Sequence, residues 1–530
     1  RAGRDRRLQR ANRLAMICLV GFMGAGKSTA LVELAAHGLH SVDADSLIEE
    51  RAGRSITQIF EADGEAAFRD LEREVVIEAL ADPSIDVLAL GGGAVESEAI
   101  REALVVDGHT VVWLEISAES AWRRVRNSKR PLARDESAFR ALFAARQPLY
   151  DSVSDAILPG VARRVWDRAY EAVRGLEDLP EGTRMFWAES SGGEYPVYVG
   201  RELLGSALFE AGSPALPGSG RTFCFTDESV GGIYGERLGE LAGTVTVPPG
   251  ESAKSMVQLD ESLREMARAG VTRSDRLIAL GGGVVGDLAG FAAHTYQRGI
   301  PVVQVPTTLV SQVDSAYGGK TGVDLPEGKN YVGAFHLPSA VISDVDTLAT
   351  LPAAELTAGM AEVVKTALLA GGGLWEEVAA LEPGEILTRA DLVFACARYK
   401  CSVVAADERD TGLRAQLNLG HTVGHAIESV TSYERYRHGE AIALGLLAAL
   451  RLSGAGQLRE EVREWNLRHG LPVELDPSID PGAVVEAVQF DKKKTSRGVG
   501  FVLLEVPGQP LIDRPVEGSA LLASVEELLP

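Results

Sequence analysis

The run Gly21-Phe22-Met23-Gly24-Ala25-Gly26-Lys27-Ser28-Thr29 leaves the surrounding backbone little choice of structure. Glycines at this spacing let successive N–H groups turn inward at a helix N-terminus, where they cradle phosphates. Lys27 is then placed to reach the β- and γ-phosphates, and the Ser28 hydroxyl to ligate Mg²⁺. The flanks agree: Met16–Val20 is a short apolar strand and Ser28–Ala36 reads as a helix. The chain therefore opens with the strand–loop–helix of an α/β layer that binds a nucleotide through Gly24, Ala25, Gly26, Lys27, Ser28 and Thr29.

At 530 residues the chain is too long for that unit alone and should hold two to four domains. A net charge of −22 argues against non-specific nucleic-acid binding. The four cysteines (Cys18, Cys224, Cys396, Cys401) are scattered, so they read as reduced thiols of a cytoplasmic protein and not as a disulfide framework. No apolar run reaches the roughly 18 residues of a membrane span. Residues 1–15 carry six arginines and one acid but lack the serines of a transit peptide; they read as a disordered or artefactual basic tail.

Residues 16–175 alternate strand and helix signals: 16–20, 28–36, 40–43, 56–80, 86–90, 98–106 and 110–116, then helix to 175. This pattern predicts a mostly parallel sheet. Asp43 and Asp45 stand at a strand end facing the glycine loop. One can order Mg²⁺ and the other approach a phosphoryl acceptor, or the pair is a solvated turn with Asp45 as helix N-cap. Arg69 and Glu72 share a helical face, Gly91-Gly92-Gly93 permits close approach of a small ligand, and Lys129-Arg130-Pro131-Leu132 suits a lid over nucleotide. With Arg146 before Pro148-Leu149-Tyr150, these pieces together resemble shikimate kinase over the whole of 16–175. The resemblance implies that Asp45, Arg69, Gly92 and Arg146 hold shikimate, the guanidiniums taking its carboxylate. Asp45 would serve as base, Arg130 would stabilise the transferring phosphate, and Ser28 with Asp43 would hold the Mg²⁺ of ATP.

Gly175–Gly182 is a polar Pro/Gly-containing break, read as a linker over 176–182. Beyond it an α/β domain is expected over 183–348 and a mainly helical one over 349–530. Leu280-Gly281-Gly282-Gly283-Val284-Val285-Gly286-Asp287 closes a strand and opens a helix, a pyrophosphate site that is weak alone. Glu362 and Lys365 share one helical face, His421 and His425 another, and His438 precedes Gly439-Glu440. A glutamate with two histidines suits a catalytic Zn²⁺ (or Co²⁺) with an open position for substrate oxygens. Lys320, Lys329-Asn330, Lys400, Arg414, Asn418 and Asp491-Lys492-Lys493 crowd the same region and suit a small phosphorylated acid.

With Pro306-Thr307-Thr308-Leu309, Asp314, Gly318–Gly322, Gly359–Lys365, Leu417–His425 and His438–Glu440 in order, residues 183–530 resemble 3-dehydroquinate synthase. The resemblance implies an NAD- and Zn²⁺-dependent cyclase that converts a linear seven-carbon keto-sugar phosphate acid (DAHP) into 3-dehydroquinate and phosphate. NAD would lie on Asp227, Glu251, Lys254, Gly282, Gly283, Val284, Asp287, Thr307 and Thr308, with Thr350 and Leu351 nearby. Zn²⁺ would sit on Glu362, His421 and His438, with His425 orienting substrate or relaying a proton. Lys320, Asn330, Lys493 and Arg298 would grip phosphate beside Asp314 and Lys329; Lys365, Lys400, Arg414 and Asn418 would take the carboxylate and hydroxyls. Two positions depart from the pattern: Ser229 replaces an expected Asn, and Asp410 an expected Glu. Arg298 would reach a neighbouring subunit's phosphate pocket, implying a homodimer. A polyol or alcohol dehydrogenase is the chief rival, but it would need fewer phosphate- and carboxylate-directed cations. A sister sugar-phosphate cyclase acting on another substrate is the nearer one, against which Arg414, Asn418 and Lys493 argue for the acid.

Overall fold

The computed structural model describes residues 16–106, 108–126, 135–160, 164–210, 213, 216, 220–494 (490–494 by backbone only) and 500–530. It divides into two compact units: residues up to Trp187 with Ser213–Leu216, and Ala188–Gly212 with Pro217–Pro530.

The first unit runs β1 (Ile17–Val20), α1 (Lys27–Ala36), β2 (Ser41–Asp43), α2 (Ala44–Ala52), α3 (Ile56–Leu80), β3 (Val87–Ala89), α4 (Glu98–Val106), β4 (Thr110–Glu115), α5 (Ala118–Val125), α6 (Glu136–Val153), β5 (Ala156–Pro159), α7 (Trp166–Arg174) and β6 (Arg184–Ser190). Its strands lie in the order β2-β3-β1-β4-β5-β6, parallel throughout. Helices on both faces leave β1, β3 and β4 almost wholly apolar and buried, as a parallel sheet requires. α3 starts on a capping box, in which Ser55 N–H donates to Gln58 Oε1 and Gln58 N–H to Ser55 Oγ. Gly26 ends the glycine loop at φ 101°, and a Cβ there would meet Gly160 O at 2.3 Å, so only glycine fits.

The structure adds to the sequence reading of this unit at three places. The stretch after 116 is not helical to 175, because β5 interrupts it: Ala156-Ile157-Leu158 is a short apolar run that period alone cannot tell from a helix. Gly175–Asp178, at the start of the expected linker, is a 3₁₀ turn with Gly175 and Leu176 buried, and β6 after it pairs with β5. The helix cap is Asp43, not Asp45: Asp45 N–H donates to Asp43 Oδ1 at 3.0 Å.

The second unit begins with β7 (Gly193–Gly200), β8 (Thr222–Asp227), α8 (Glu228–Tyr234), β9 (Gly243–Val247), α9 (Met256–Arg268), β10 (Arg276–Gly281), α10 (Gly283–Thr295), β11 (Val302–Pro306), the hairpin β12 (Lys320–Leu325) and β13 (Gly328–Phe335), and β14 (Ala340–Asp344). Parallel strands in the order β7-β14-β11-β10-β8-β9 form its sheet. Helices follow: α11 (Ala353–Ala370), α12 (Gly372–Ala379), α13 (Ala390–Ala406), α14 (His421–Val430), α15 (His438–Leu452), α16 (Gly456–Arg468) and α17 (Pro481–Lys494). A small hairpin, β15 (Phe501–Leu504) with β16 (Pro510–Arg514), and α18 (Gly518–Glu526) complete it. The architecture is an α/β domain followed by a helical part, as expected. The β12–β13 hairpin escaped the sequence reading because β13, polar and with two glycines, is exposed or half-exposed along its whole length and lacks clean alternation. Between Ala358 and Leu369 α11 is buried all round, Glu362 and Lys365 included. No helix among the described residues is long and apolar enough to cross a membrane.

Candidate active sites

In the first unit the glycine loop leaves β1 and delivers Lys27 to the first turn of α1. Its Nζ folds back onto the loop, donating to Gly21 O at 2.6 Å. Ser28 and Thr29 are exposed beside it, while Gly24 and Gly26 are half-buried and Ala25 is buried. Asp43 spends Oδ1 on the α2 cap, and Asp45 lies in the first turn of that helix.

The Gly91–Gly93 triplet after β3 gathers the remaining expected residues. A Cβ at Gly91 would lie 2.6 Å from Glu72 Oε1 and 3.0 Å from Asp45 Oδ1, and one at Gly93 2.5 Å from both Arg69 Nη atoms. Arg69 donates from Nη1 to Glu72 Oε2 at 2.6 Å. Burial raises the Glu72 pKa although Arg69 opposes it. Tyr150 Oη donates to Gly92 O at 2.5 Å and holds the triplet in place. Arg146 on α6 is 4% exposed and grips Glu96 through Nε and Nη2 at 3.0 and 3.1 Å. Glu96 went unnoticed in the sequence. Its signal was position, three residues past the glycine triplet. Arg130, the expected lid residue, lies outside the described residues.

In the second unit, one cleft of about 1370 Å³ is lined by most of the expected residues: Asp227, Glu251, Lys254, Gly282, Gly283, Val284, Asp287, Thr308, Asp314, Lys329, Asn330, Glu362, Asn418, His421, His425 and His438. At its sheet edge β10 ends in Gly281-Gly282-Gly283 and opens α10. A Cβ on Gly282 would come within 2.9 Å of Thr308 Cγ2, and one on Gly283 within 3.1 Å of Ser315 Oγ, so the turn is a cradle of bare backbone. Asp227 caps α8, accepting from Ser229 and Val230 N–H at 2.8 and 2.9 Å. Lys254 pairs with Asp287 at 2.6 Å. Thr307 N–H donates to Gly281 O at 3.0 Å. Thr350 lies 2.6 Å from Tyr234 Oη; neither it nor Leu351 lines the cleft.

The helical wall brings four possible metal ligands together. The ligand atoms of His421, His425 and His438 lie within 4.8 Å of one another. Glu362 Oε1 is 3.3 Å from His438 Nε2 and 3.6 Å from His421 Nε2. Lys365 pairs with Glu362 through charge, yet neither carboxylate oxygen, fully buried, finds a well-aligned hydrogen bond. A buried carboxylate so placed beside three imidazoles fits a borderline divalent cation such as Zn²⁺ or Co²⁺. Burial, reinforced by Lys365, drives the His421 pKa well below its ordinary value, so the ring is a neutral donor. Burial opposes charge on His438 as well, but the neighbouring carboxylates of Glu362 and Glu428 push it up to about 10. Glu428 had been missed: its Oε2 lies 3.4 Å from His438 Nδ1. Its spacing after His425 on α14, three residues on, would have placed it on the same face.

Beneath the metal-ligand candidates runs a buried charge ladder. Asp314 stands on a π-turn (Ser311–Ser315) and accepts from Lys400 at 2.8 Å and Lys365 at 3.4 Å. Despite burial, Lys365 and Lys400 hold Asp314 down to about 2. Burial lowers Lys400, with Asp314 pulling it back up. Arg414 donates to Glu408 O at 2.7 Å and is buried, which lowers its pKa. Lys320 pairs with Asp410, the residue that departs from the expected Glu. Lys329 pairs with Glu251 and caps the Tyr433 ring at 4.4 Å. Asn330 adopts φ 56° on the hairpin. Arg298 is exposed, also left-handed at φ 71°, and does not line the cleft. The Lys493 side chain lies outside the described residues.

Comparison with known proteins accounts for both units. A family model described as shikimate kinase matches residues 23–173. Models of the N-terminal and C-terminal parts of 3-dehydroquinate synthase match 244–358 and 359–494. A 3-dehydroquinate synthase of Symbiobacterium thermophilum is 44% identical over 351 residues, 63% of this chain and 98% of that protein. Among solved structures, a 2-epi-5-epi-valiolone synthase of Streptomyces hygroscopicus subsp. jinggangensis, with NAD⁺ and Zn²⁺ bound, is 28% identical at a TM-score of 0.54, covering 63% of this chain and 96% of that one. A 2-deoxy-scyllo-inosose synthase complexed with carbaglucose-6-phosphate, NAD⁺ and Co²⁺ shares the fold at a TM-score of 0.58 and 24% identity, covering 65% of this chain and all of the other.

Proposed function

The chain belongs to the 3-dehydroquinate synthase family and carries a shikimate kinase domain ahead of it, and on that premise we propose how its residues divide two reactions. It is a bifunctional shikimate-pathway enzyme. The front unit phosphorylates shikimate with ATP, and the rear unit converts DAHP into 3-dehydroquinate and phosphate.

In the kinase, Lys27 turns from Gly21 O to the β- and γ-phosphates, with the amides of Gly24, Ala25 and Gly26 and the Thr29 region around them. Ser28 and Asp43, hard oxygen donors at a strand end and helix start, are the residues that would hold Mg²⁺. The closeness of Asp45 and Arg69 to the glycine triplet, and of Arg146 to Glu96 just past it, supports an acceptor seat. The two guanidiniums take shikimate's carboxylate and Asp45 faces its hydroxyls, drawing the proton from the one that attacks. Arg130, by its place in the sequence motif, would stabilise the transferring phosphate.

In the synthase, the observation that carries the reading is the convergence of the glycine turn, Glu362 and the histidine cluster in one cleft. NAD rests on Asp227, Glu251, Lys254, Gly282–Val284, Asp287, Thr307 and Thr308, with Thr350 and Leu351 at its margin. The metal is held by Glu362, His421 and His438. Bound there, the dinucleotide would take up and return hydride, and the cation would polarise the hydroxyl being oxidised. His425 orients substrate and moves a proton at the cluster's edge. Lys365, Lys400, Arg414 and Asn418 receive the carboxylate and hydroxyls. Lys320 and Lys329, now paired with Asp410 and Glu251, exchange those partners for phosphate beside Asp314, Asn330 and Lys493. A homodimer supplies Arg298 across its interface. The partners are therefore small molecules and a second copy of the chain.

The test is to follow ADP from shikimate with Mg-ATP, and phosphate from DAHP with NAD⁺ and Zn²⁺. Lys27→Ala should abolish the first and spare the second; equal loss of both would defeat the division of labour.

A further inference from the structure

Arg146 is the most deeply buried cation of the kinase unit's acceptor pocket, and it is not waiting for a partner. Its guanidinium lies over the Phe22 ring at 5.7 Å and makes a two-pronged contact with Glu96, Nε to Oε1 at 3.0 Å and Nη2 to Oε2 at 3.1 Å. Glu96 Oε2 is also 3.5 Å from Arg69 Nη2. One carboxylate thus touches both guanidiniums proposed to hold the acceptor's carboxylate. A fork of this shape accepts one planar carboxylate at a time.

We infer that Glu96 is a built-in competitor for the acceptor's carboxylate seat, displaced when a carboxylate-bearing acceptor binds. The inference rests on the reading of Arg69 and Arg146 as that seat. Two features suit Glu96 to leaving. Its side chain is 39% exposed, whereas that of Arg146 is 4% exposed, so the acid can swing into water while the arginine stays. Its backbone, in the 3₁₀ turn Ala94–Glu96, is pinned independently, because Arg101 Nη1 donates to Val95 O at 2.7 Å and Glu96 O at 3.1 Å. Displacing the side chain therefore need not disturb the glycine triplet. The exchange keeps the buried charge of Arg146 paired in both states, since an unpaired buried guanidinium is costly. It also selects the ligand. A neutral cyclitol cannot repay the loss of Glu96 and is excluded, and simple anions compete with an acid already in place.

The experiment uses the full chain. Glu96→Gln keeps the shape and one hydrogen-bond acceptor but removes the charge; Glu96→Ala removes both. With occupancy of the seat relieved, the KM for shikimate should fall about 3- to 10-fold in each variant, with the KM for ATP unchanged. Acetate, a bare carboxylate, should inhibit both variants competitively against shikimate at concentrations that leave the parent enzyme unaffected. A purely structural role for Glu96 would not create that inhibition. It would instead misplace Arg146 and raise the shikimate KM. Arg146→Met separates the two levels of the argument. If it raises the shikimate KM while Glu96→Gln leaves it level or raises it, the competitor idea falls alone. If Arg146→Met leaves the KM unchanged, the carboxylate seat itself is wrong and the inference falls with it.

Discussion

Replacing Asp314 by Asn removes one charge and almost no volume, and it takes a carboxylate away from two buried ammonium groups. Lys365 keeps Glu362 as a partner, so the burden falls on Lys400, whose Nζ is 2.8 Å from Asp314 Oδ1. At an effective permittivity of 20 that attraction is worth about 6 kcal/mol before desolvation is counted. The folded variant has an escape, because Lys400 can shed its proton. From an ordinary pKa of about 10.4, doing so at pH 7 costs at most about 4.6 kcal/mol, which caps the loss. Water reaching the cleft, where the Asp314 side chain is 22% exposed, softens it. The expected destabilisation is therefore about 2–4.5 kcal/mol at pH 7.

The sign of its pH dependence follows. Burial already lowers Lys400, and Asp314 is the group holding it up, so its removal lowers Lys400 further. Between that folded pKa and about 10.4 the unfolded chain binds more protons than the folded one, and the variant's stability rises with pH. By pH 9 the cap has shrunk to about 2 kcal/mol. Scanning calorimetry of the full chain can read this, taking the synthase transition as the one that NAD⁺ moves upward. At roughly 2 °C per kcal/mol the midpoint should drop about 4–9 °C at pH 7 and less than about 4 °C at pH 9. A drop that is equal or larger at pH 9, or below about 2 °C at pH 7, would refute the reasoning.

Gly93→Ala would put a Cβ 2.5 Å from the Arg69 guanidinium, displacing it; the shikimate KM should rise about tenfold with ATP binding intact, and an unchanged KM would count against the acceptor seat. Chelation should stop the synthase, and metal analysis of purified variants should find His421→Ala empty but His425→Ala loaded. A loaded His438→Ala beside an empty His425→Ala would exchange those two residues in the ligand set. Arg298→Ala subunits mixed with His421→Ala subunits should regain phosphate release, because one hybrid site combines an intact metal set with the partner's arginine. Hybrids shown to form but to stay inactive would rule out a shared site.

Much of this was legible in the sequence because the chemistry sits in contiguous runs. The glycine loop at 21–29, the Gly281–Asp287 turn and the Leu417–His425 stretch each carry their own backbone instructions. Glycine spacing fixes the turn, and the helix that follows presents its N–H groups or its i and i+4 side chains regardless of the rest of the chain. The two parallel sheets were visible as short apolar runs between helical patterns for the same local reason. What stayed hidden was pairing between distant segments. Glu96 against Arg146, Glu428 against His438, and Asp314 between Lys365 and Lys400 join residues with no common period. The strands β5 and β12–β13 were missed because their identity comes from the neighbour they hydrogen-bond, and Asp43 rather than Asp45 became the cap because the end of β2 set where α2 could start. The sequence alone determined which chemical groups the two units own, since local spacing specifies backbone turns and helix faces. Only the tertiary structure decided which groups face one another and which stay charged, because burial and partner distance exist only once the chain is packed.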